Sequence, residues 1–281
     1  MAAVLGTNVA SLWASKNLQS AQSKMADSVE RLSSGLRINR AKDDTAGLGV
    51  ANALTQQINT SDQGIRNLND GISIVQTAEG ALSQVSEMAQ RILSLSVQAT
   101  SGSLSSTQHA SVIAEMKTLV TGITNIQTRT KFSGTTLFAS TAINVFNGKE
   151  STDKVEITAA ALATIGSASG SALTLSSWIN TETAITSSTY YQSIATSASL
   201  YITALDTQRG LLGAIQNQME YSVNNITELS ANLTSARSRV VDTDYASETA
   251  NLTKGQILQQ AATAMLAQAN QMPNVILSLL K

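Results

Sequence analysis

The chain has 281 residues, a net charge of -1 and only 13% charged side chains, so it offers no electrostatic footprint for nucleic acid or an anionic membrane surface. Its 3 Phe, 2 Trp, 5 Tyr and single Pro leave few large rings to fill a globular core, which favours thin helix-on-helix packing with small residues at the contacts. With no cysteine it can build neither a disulfide framework nor a thiolate metal site, and no stretch approaches the roughly 18 apolar residues of a membrane span.

The first residues lack a basic leader and break their apolar run at Thr7 and Asn8, so no cleavable secretory signal is expected. From there Leu5, Val9 and Leu12, and then Met25, Val29, Leu32 and Leu36, step by three and four with polar residues between, which predicts helix. A charged cluster follows, Arg37, Arg40, Lys42, Asp43 and Asp44, and reads as a solvated turn closed by Gly47. Ile58, Ile65, Leu68, Ile72, Val75, Leu82, Val85, Ala89 and Ile92 predict one helix from about Leu48 to Gln98. At ~1.5 Å per residue it would extend on the order of 75 Å. Gly64, Gly71 and Gly80 lie inside it, each at a cost of about 1 kcal/mol against Ala, so neighbouring helices must support it. After a Ser/Gly/Thr-rich break, Val112, Met116, Leu119, Ile123 and Ile126 predict a second helix, with His109, the only histidine, at its start or on its surface.

The stretch from about Lys131 to Thr189 changes character. Ile143 and Val145, then Val155 and Ile157, alternate about Asn147-Gly148-Lys149, which predicts a β-hairpin with a tight primed turn. The following Ala/Ser/Thr/Gly-rich residues read as loop with short helical turns. Leu205, Leu212, Met219, Ile226 and Leu233 recur every seventh residue, with Ile215 and Leu229 at the companion position, and predict a third helix. Finally Leu258, Ala262, Met265, Ala269, Met272, Ile276 and Leu279 form a coiled-coil stripe, with Pro273 expected to kink or end it.

Two such stripes at opposite termini are expected to pair with each other or with copies of themselves. A thin pair of helices with Ala at many seam positions buries little area and is marginal alone in water. The terminal segments are therefore expected to fray in the free chain and to order against neighbouring subunits. A repeated contact that does not close into a ring builds a helical filament. Catalysis has little to stand on: one histidine, and no zinc-protease, phosphate-loop or dinucleotide motif.

The run Glu30-Arg31-Leu32-Ser33-Ser34-Gly35-Leu36-Arg37-Ile38-Asn39, with Ala41-Lys42-Asp43-Asp44, resembles the N-terminal signature of bacterial flagellins. So do Asn69-Asp70-Gly71-Ile72-Ser73 and Thr77-Ala78-Glu79-Gly80-Ala81-Leu82. At the other end, Leu212-Gly213-Ala214-Ile215-Gln216-Asn217, Asn232-Leu233-Thr234-Ser235-Ala236-Arg237-Ser238-Arg239 and Gln256-Ile257-Leu258-Gln259-Gln260-Ala261 are similar to the C-terminal signature. The resemblance implies a mainly α fold: a long antiparallel helical coiled-coil and rod bundle with paired N- and C-terminal helices and a small β-hairpin insert. It implies a terminal core domain of residues 1–43 with 242–281 and a rod domain of 44–241, with 131–189 as the variable insert and no large outer domain.

The function implied is that of a secreted, self-assembling subunit of the flagellar filament used for swimming, without cofactor, nucleic acid or membrane. Its polymerisation seam would comprise Leu5, Val9, Leu12, Met25, Val29, Leu32, Leu36, Leu258, Met265, Met272 and Leu279. Arg37, Arg40, Lys42, Asp43 and Asp44 would make polar contacts between subunits at the core–rod junction. Partners implied are an export chaperone, hook-associated junction proteins and cap proteins. Gln90, Arg91, Leu95 and Gln98, with Glu115 on the adjacent helix, resemble the segment recognised by the vertebrate Toll-like receptor for flagellin. Arg91 and Leu95, four apart, would share one helix face. Two alternatives stay open: a flagellin-like junction protein between hook and filament, and a cell-surface binding protein. For the second, Trp178, Tyr190 and Tyr191 are the candidate sugar-stacking aromatics in the insert.

Overall fold

The computed structural model describes residues 8–139, 141–163 and 187–279, the last eight of these by their backbone. Contacts divide the chain into two units, residues 1–58 with 231–281, and residues 59–230. Among the described residues there are five helices and two small antiparallel strand pairs.

The second unit is organised by heptads. Helix α2 (Thr45–Ala99) contributes Leu68, Val75, Leu82 and Ala89 at one seam position and Ala78, Val85, Ile92 and Ala99 at the other. Helix α3 (Ser106–Arg129) contributes Ile113, Met116, Val120 and Ile123. Helix α4 (Ser188–Val241) contributes Tyr191, Ile194, Ala198, Tyr201, Leu205, Leu212, Ile215 and Met219. All of them belong to one apolar core, and each fully buried Leu, Ile or Met contributes about 1.5–3 kcal/mol. That burial offsets the glycines inside α2. The start of α3 is fixed by a capping box: the Gln108 backbone N–H donates to Ser105 Oγ, and the Ser105 N–H donates to Gln108 Oε1 at 2.7 Å.

His109 is not at the surface. It is 4% exposed and stacks on Tyr191, with ring centroids 5.1 Å apart, because it falls one helical step before Ile113 on the buried stripe of α3. Tyr191 is likewise fully buried, with Tyr190 edge-on to it. Tyr191 is therefore a core residue and cannot stack on a sugar; Trp178 lies outside the described residues.

Two hairpins pack on this core. The first, β1 (Lys131–Phe132) with β2 (Thr135–Thr136), turns through Ser133 and Gly134, at φ 47° and 85°. These left-handed angles suit a two-residue primed turn, and Gly134 adopts its angle without a Cβ penalty. The second, β3 (Ile143–Phe146) with β4 (Lys154–Ile157), has the expected strands, pairing Val145 with Val155 and Ile143 with Ile157. Its connection corrects the expectation of a tight turn. Asn147 and Gly148 do not take positive φ; the loop runs through 147–153, with the Asn147 N–H donating to the Asp153 carbonyl and the Glu150 N–H to the Asp153 carboxylate. This hairpin lies against α2 at Gly64, where a Cβ would stand 2.2 Å from the Asn147 carbonyl oxygen. Beside it, Asn67 Nδ2 donates to the Phe146 carbonyl at 2.8 Å.

In the first unit, α1 (Val9–Ser34) and α5 (Tyr245–Leu279) form an antiparallel pair. Asn8 contacts Ala269, Met25 lies beside Gly255, Arg31 pairs with Glu248, and the Tyr245 hydroxyl donates to the Leu32 carbonyl. Helix α1 ends in a left-handed Gly35 whose N–H donates to the Arg31 carbonyl. Beyond it Leu36 forms an antiparallel bridge with Asp242, reinforced by Arg37 N–H to the Val241 carbonyl and Thr243 N–H to the Gly35 carbonyl. Pro273 does not end the last helix, since α5 continues to Leu279.

Candidate functional site

The α1–α5 pair carries the residues expected to form the polymerisation seam, and the structure divides them. The positions buried between the helices are Ala14, Ala21 and Ser28 on α1 and Glu248, Gly255 and Ala269 on α5, with Leu18, Met25, Leu32, Leu252, Ala262 and Leu266 half-buried among them. Small side chains at every seventh position let the backbones approach closely. Gly255 shows how closely: a Cβ there would touch Met25 Cβ at 3.5 Å.

The larger residues of the expected seam flank this line. Val9 is 55% exposed, Leu12 71%, Val29 49%, Leu258 44% and Met265 65%. Of the two pairings expected for the stripe, these five residues leave the one with other copies open: small residues and half-buried Leu and Met join the chain's own ends, and these five face outward. Met25, Leu32 and Leu36 are the members of the stripe that are half-buried. Leu5 and the side chains of Met272 and Leu279 lie outside the described residues.

Trp13, which the stripe did not include, is 60% exposed and carries the Lys16 ammonium over its ring at 5.4 Å. With Val9, Lys24, Leu258, Met265 and Gln268 it lines a groove of about 750 Å³ along the pair. Exposed apolar side chains this large, grouped along one groove, mark an interaction surface. The signal in the sequence was Trp13 itself, next to Leu12 in a chain with only 2 Trp.

The charged cluster is wired mainly within the chain. Arg37 Nη2 donates to the Val240 carbonyl at 2.5 Å. Arg40 pairs with Glu30 at 2.8 Å. Asp43 Oδ2 accepts the Arg40 and Asn39 N–H groups, and the Arg40 N–H is the main cause that holds its carboxyl below the ordinary value. Asp44 Oδ1 accepts the Gly47 N–H at 2.8 Å in the first turn of α2. Lys42 is exposed.

In the second unit Gln90, Arg91, Gln98 and Glu115 are exposed, and both Arg91 Nε and Nη2 donate to Glu115 Oε1, at 2.9 and 2.7 Å. Leu95 departs from the expectation that it shares the Arg91 face. It is 2% exposed and part of the core, because it sits three residues beyond Ile92 on the buried stripe while Arg91 flanks that stripe.

Among the described residues no cluster of three or more His, Cys, Asp or Glu could hold a metal, and no helix is long and apolar enough to cross a membrane. Heptad-striped helices, an antiparallel terminal pair held by small residues and a groove of unpartnered large ones define a self-assembling structural protein. Comparison with known proteins identifies which. The model of the bacterial flagellin N-terminal helical region matches residues 5–142, and that of the C-terminal helical region matches 196–280. The flagellin of Halalkalibacterium halodurans is 36% identical over 287 residues, covering 99% of this chain and 100% of its own. That of Bacillus subtilis is 36% identical over 300 residues, covering 98% of each. A crystal structure of Bacillus cereus flagellin aligns with TM-score 0.46 and 22% identity, covering 61% of this chain and 94% of its own. The chain belongs to the bacterial flagellins. It is a subunit that polymerises into the extracellular flagellar filament of swimming cells, and the junction-protein and surface-receptor alternatives are not favoured.

Proposed function

We propose that growth of this filament is driven by the outward flank of the α1–α5 pair, with exposed Leu12 and the groove residues Val9, Trp13, Leu258 and Met265 received by neighbouring subunits. The supporting observation is the sorting of side chains on that pair: small residues are consumed within the chain, and residues as large as Trp13 and Met265 are left 60% and 65% exposed. Each is already partly covered, so burying the rest would contribute up to about 1.5–3 kcal/mol, which adds to the helix pair's own bonds and packing in favour of the ordered, assembled state. On this reading residues 1–43 and 242–281 act as the terminal core domain and 44–241 as the rod, and Leu5, Met272 and Leu279 extend the same apolar flank. Arg37, Arg40, Lys42, Asp43 and Asp44 add polar contacts to neighbours, with Lys42 the member most available for one. The role is structural and not enzymatic.

The partners on either side of assembly follow the family: an export chaperone covering the C-terminal stripe, hook-associated junction proteins at the base and cap proteins at the tip. The exposed set Gln90, Arg91, Gln98 and Glu115 is the surface offered to the vertebrate Toll-like receptor for flagellin, with Leu95 supporting it from beneath. Seeded polymerisation followed by electron microscopy tests the assembly reading. The full chain should grow long filaments, whereas a chain truncated before Gln256, and a Leu12→Gln, Met265→Gln double variant, should not. Filaments of normal length from the double variant would refute the role given to the flank.

A further inference from the structure

A proline inside a helix leaves one carbonyl without its donor, because the residue four places later has no N–H to give. In α5 Pro273 does this to Ala269. The freed carbonyl does not go unsatisfied: Asn8 Nδ2 donates to it at 2.7 Å, and Ala269 is only 6% exposed. The same side chain also starts α1, since its Oδ1 accepts the Ser11 N–H at 3.1 Å. Next to it, Ser11 Oγ and Asn270 Oδ1 are 3.0 Å apart.

We infer that Asn8, the Ala269 carbonyl and Pro273 form a clasp that sets the register of the α1–α5 pair at the end far from the Leu36–Asp242 bridge. The need for one follows from the seam. Ala14, Ala21 and Ser28 against Gly255, Ala262 and Ala269 are near-equivalent small residues repeating every seventh position, so apolar packing distinguishes heptad registers weakly; the Leu36–Asp242 bridge and the Arg31–Glu248 pair hold the register at one end, and a polar pairing can hold it at the other. Carbonyls further inside α5 already accept the N–H four residues on, so a second donor gains less there than at a carbonyl that has none. Ala269 is the one released by a proline. The partner must accept from the first turn of α1 and donate to α5 at once. Asp can cap but has no donor, Ser carries its single hydroxyl on a shorter side chain, and Asn supplies a separate acceptor and donor. Asn8 and Pro273 are therefore positioning residues for assembly: they hold Val9 and Trp13 across from Met265 and so shape the groove.

The inference rests on the assembly reading, which the unaltered chain tests by itself. The clasp is tested by hydrogen exchange on isotope-labelled full-length variants incorporated as a minor fraction into filaments of the unaltered protein. Pro273→Ala should raise helix propensity and would naively tighten the pair. The clasp predicts the opposite: by refilling the Ala269 carbonyl from within α5, it should lower protection over residues 9–14 about tenfold. Asn8→Asp, which keeps the cap and loses the donor, should do the same, and the double variant should be no worse than either single one, as expected of two residues acting through one bond. Should a variant be excluded from filaments, its incorporation ratio is read instead with the same expected pattern. Unchanged or raised protection in Pro273→Ala, or losses that multiply in the double variant, would overturn the clasp.

Discussion

Two glycines of the same helix should respond oppositely to the same substitution. At Gly80 an added Cβ meets nothing within 4 Å, so Gly80→Ala should gain the full propensity difference of about 1 kcal/mol. At Gly64 the new Cβ would stand 2.2 Å from the Asn147 carbonyl oxygen and 2.8 Å from its carbon. Backbone must then retreat by roughly 1 Å, and the loop is held by Asn67 Nδ2 on the Phe146 carbonyl at 2.8 Å and by the Asn147 N–H on the Asp153 carbonyl at 2.9 Å. Overpacking of this kind costs about 1–3 kcal/mol, which cancels or exceeds the propensity gain. The two variants should differ by about 1–3 kcal/mol, with Gly80→Ala above the unaltered chain and Gly64→Ala at or below it. At about 2–4 °C per kcal/mol, thermal unfolding of the free full-length chain followed by circular dichroism resolves the gap. Equal stabilisation by both substitutions would refute the close docking of the β3–β4 hairpin on α2.

The remaining predictions concern burial and charge. Leu95→Ala should destabilise the free chain by about 2–5 kcal/mol in urea unfolding, as a core truncation does; a loss below about 0.5 kcal/mol would mean that Leu95 faces outward after all. Glu115→Gln should cost less than about 1 kcal/mol, because its pairing with Arg91 is solvent-exposed, and the small cost should shrink further in salt. Burial pushes the Tyr201 hydroxyl well above its ordinary value of 10.0, and burial with neighbouring Tyr190 raises Tyr191. The fold therefore prefers both phenols protonated. Their contribution to stability is complete below the unfolded value of about 10 and is lost as pH rises from there toward the raised folded values. Absorbance titration should show these two tyrosines ionising only together with alkaline unfolding, and titration of all 5 in one step before unfolding would contradict the burial.

What could be read from the residues depended on side-chain volume. In α2 and α4 Leu, Ile, Val and Met fill enough of the core positions that the apolar period and the buried face coincide: Leu68, Val75, Leu82, Leu205, Leu212 and Met219 are all fully buried. In α1 and α5 the period of large residues and the buried face part company. The true seam uses Ala14, Ala21, Ser28 and Gly255, which hydropathy weighs lightly, while Leu12 and Met265 draw the eye one position aside. The same blindness to small features hid the β1–β2 hairpin, whose strands of two residues each are too short to alternate, so that Ser133-Gly134 was its only trace. At Arg91 and Leu95 a spacing of four implies a shared face, yet Arg91 lies at the edge of the buried stripe and Leu95 within it, so one is exposed and the other buried.

Pro273 shows the remaining limit most clearly. The local rule that a proline stops a helix rests on an unsatisfied carbonyl and a steric conflict, and it holds when nothing else reaches that carbonyl. Here the donor is Asn8, 261 residues away along the chain, and no window of sequence can join the two. The mismatch between seam and stripe points the same way. A pair of helices built only to be stable would bury Leu12, Trp13 and Met265 in its own seam and leave alanines outside. This pair leaves those three outside and fills its seam with small residues and half-buried Leu and Met; on the proposed assembly reading the apolar area left over is covered only in the filament, which would tie the stability of the chain's ends to polymerisation.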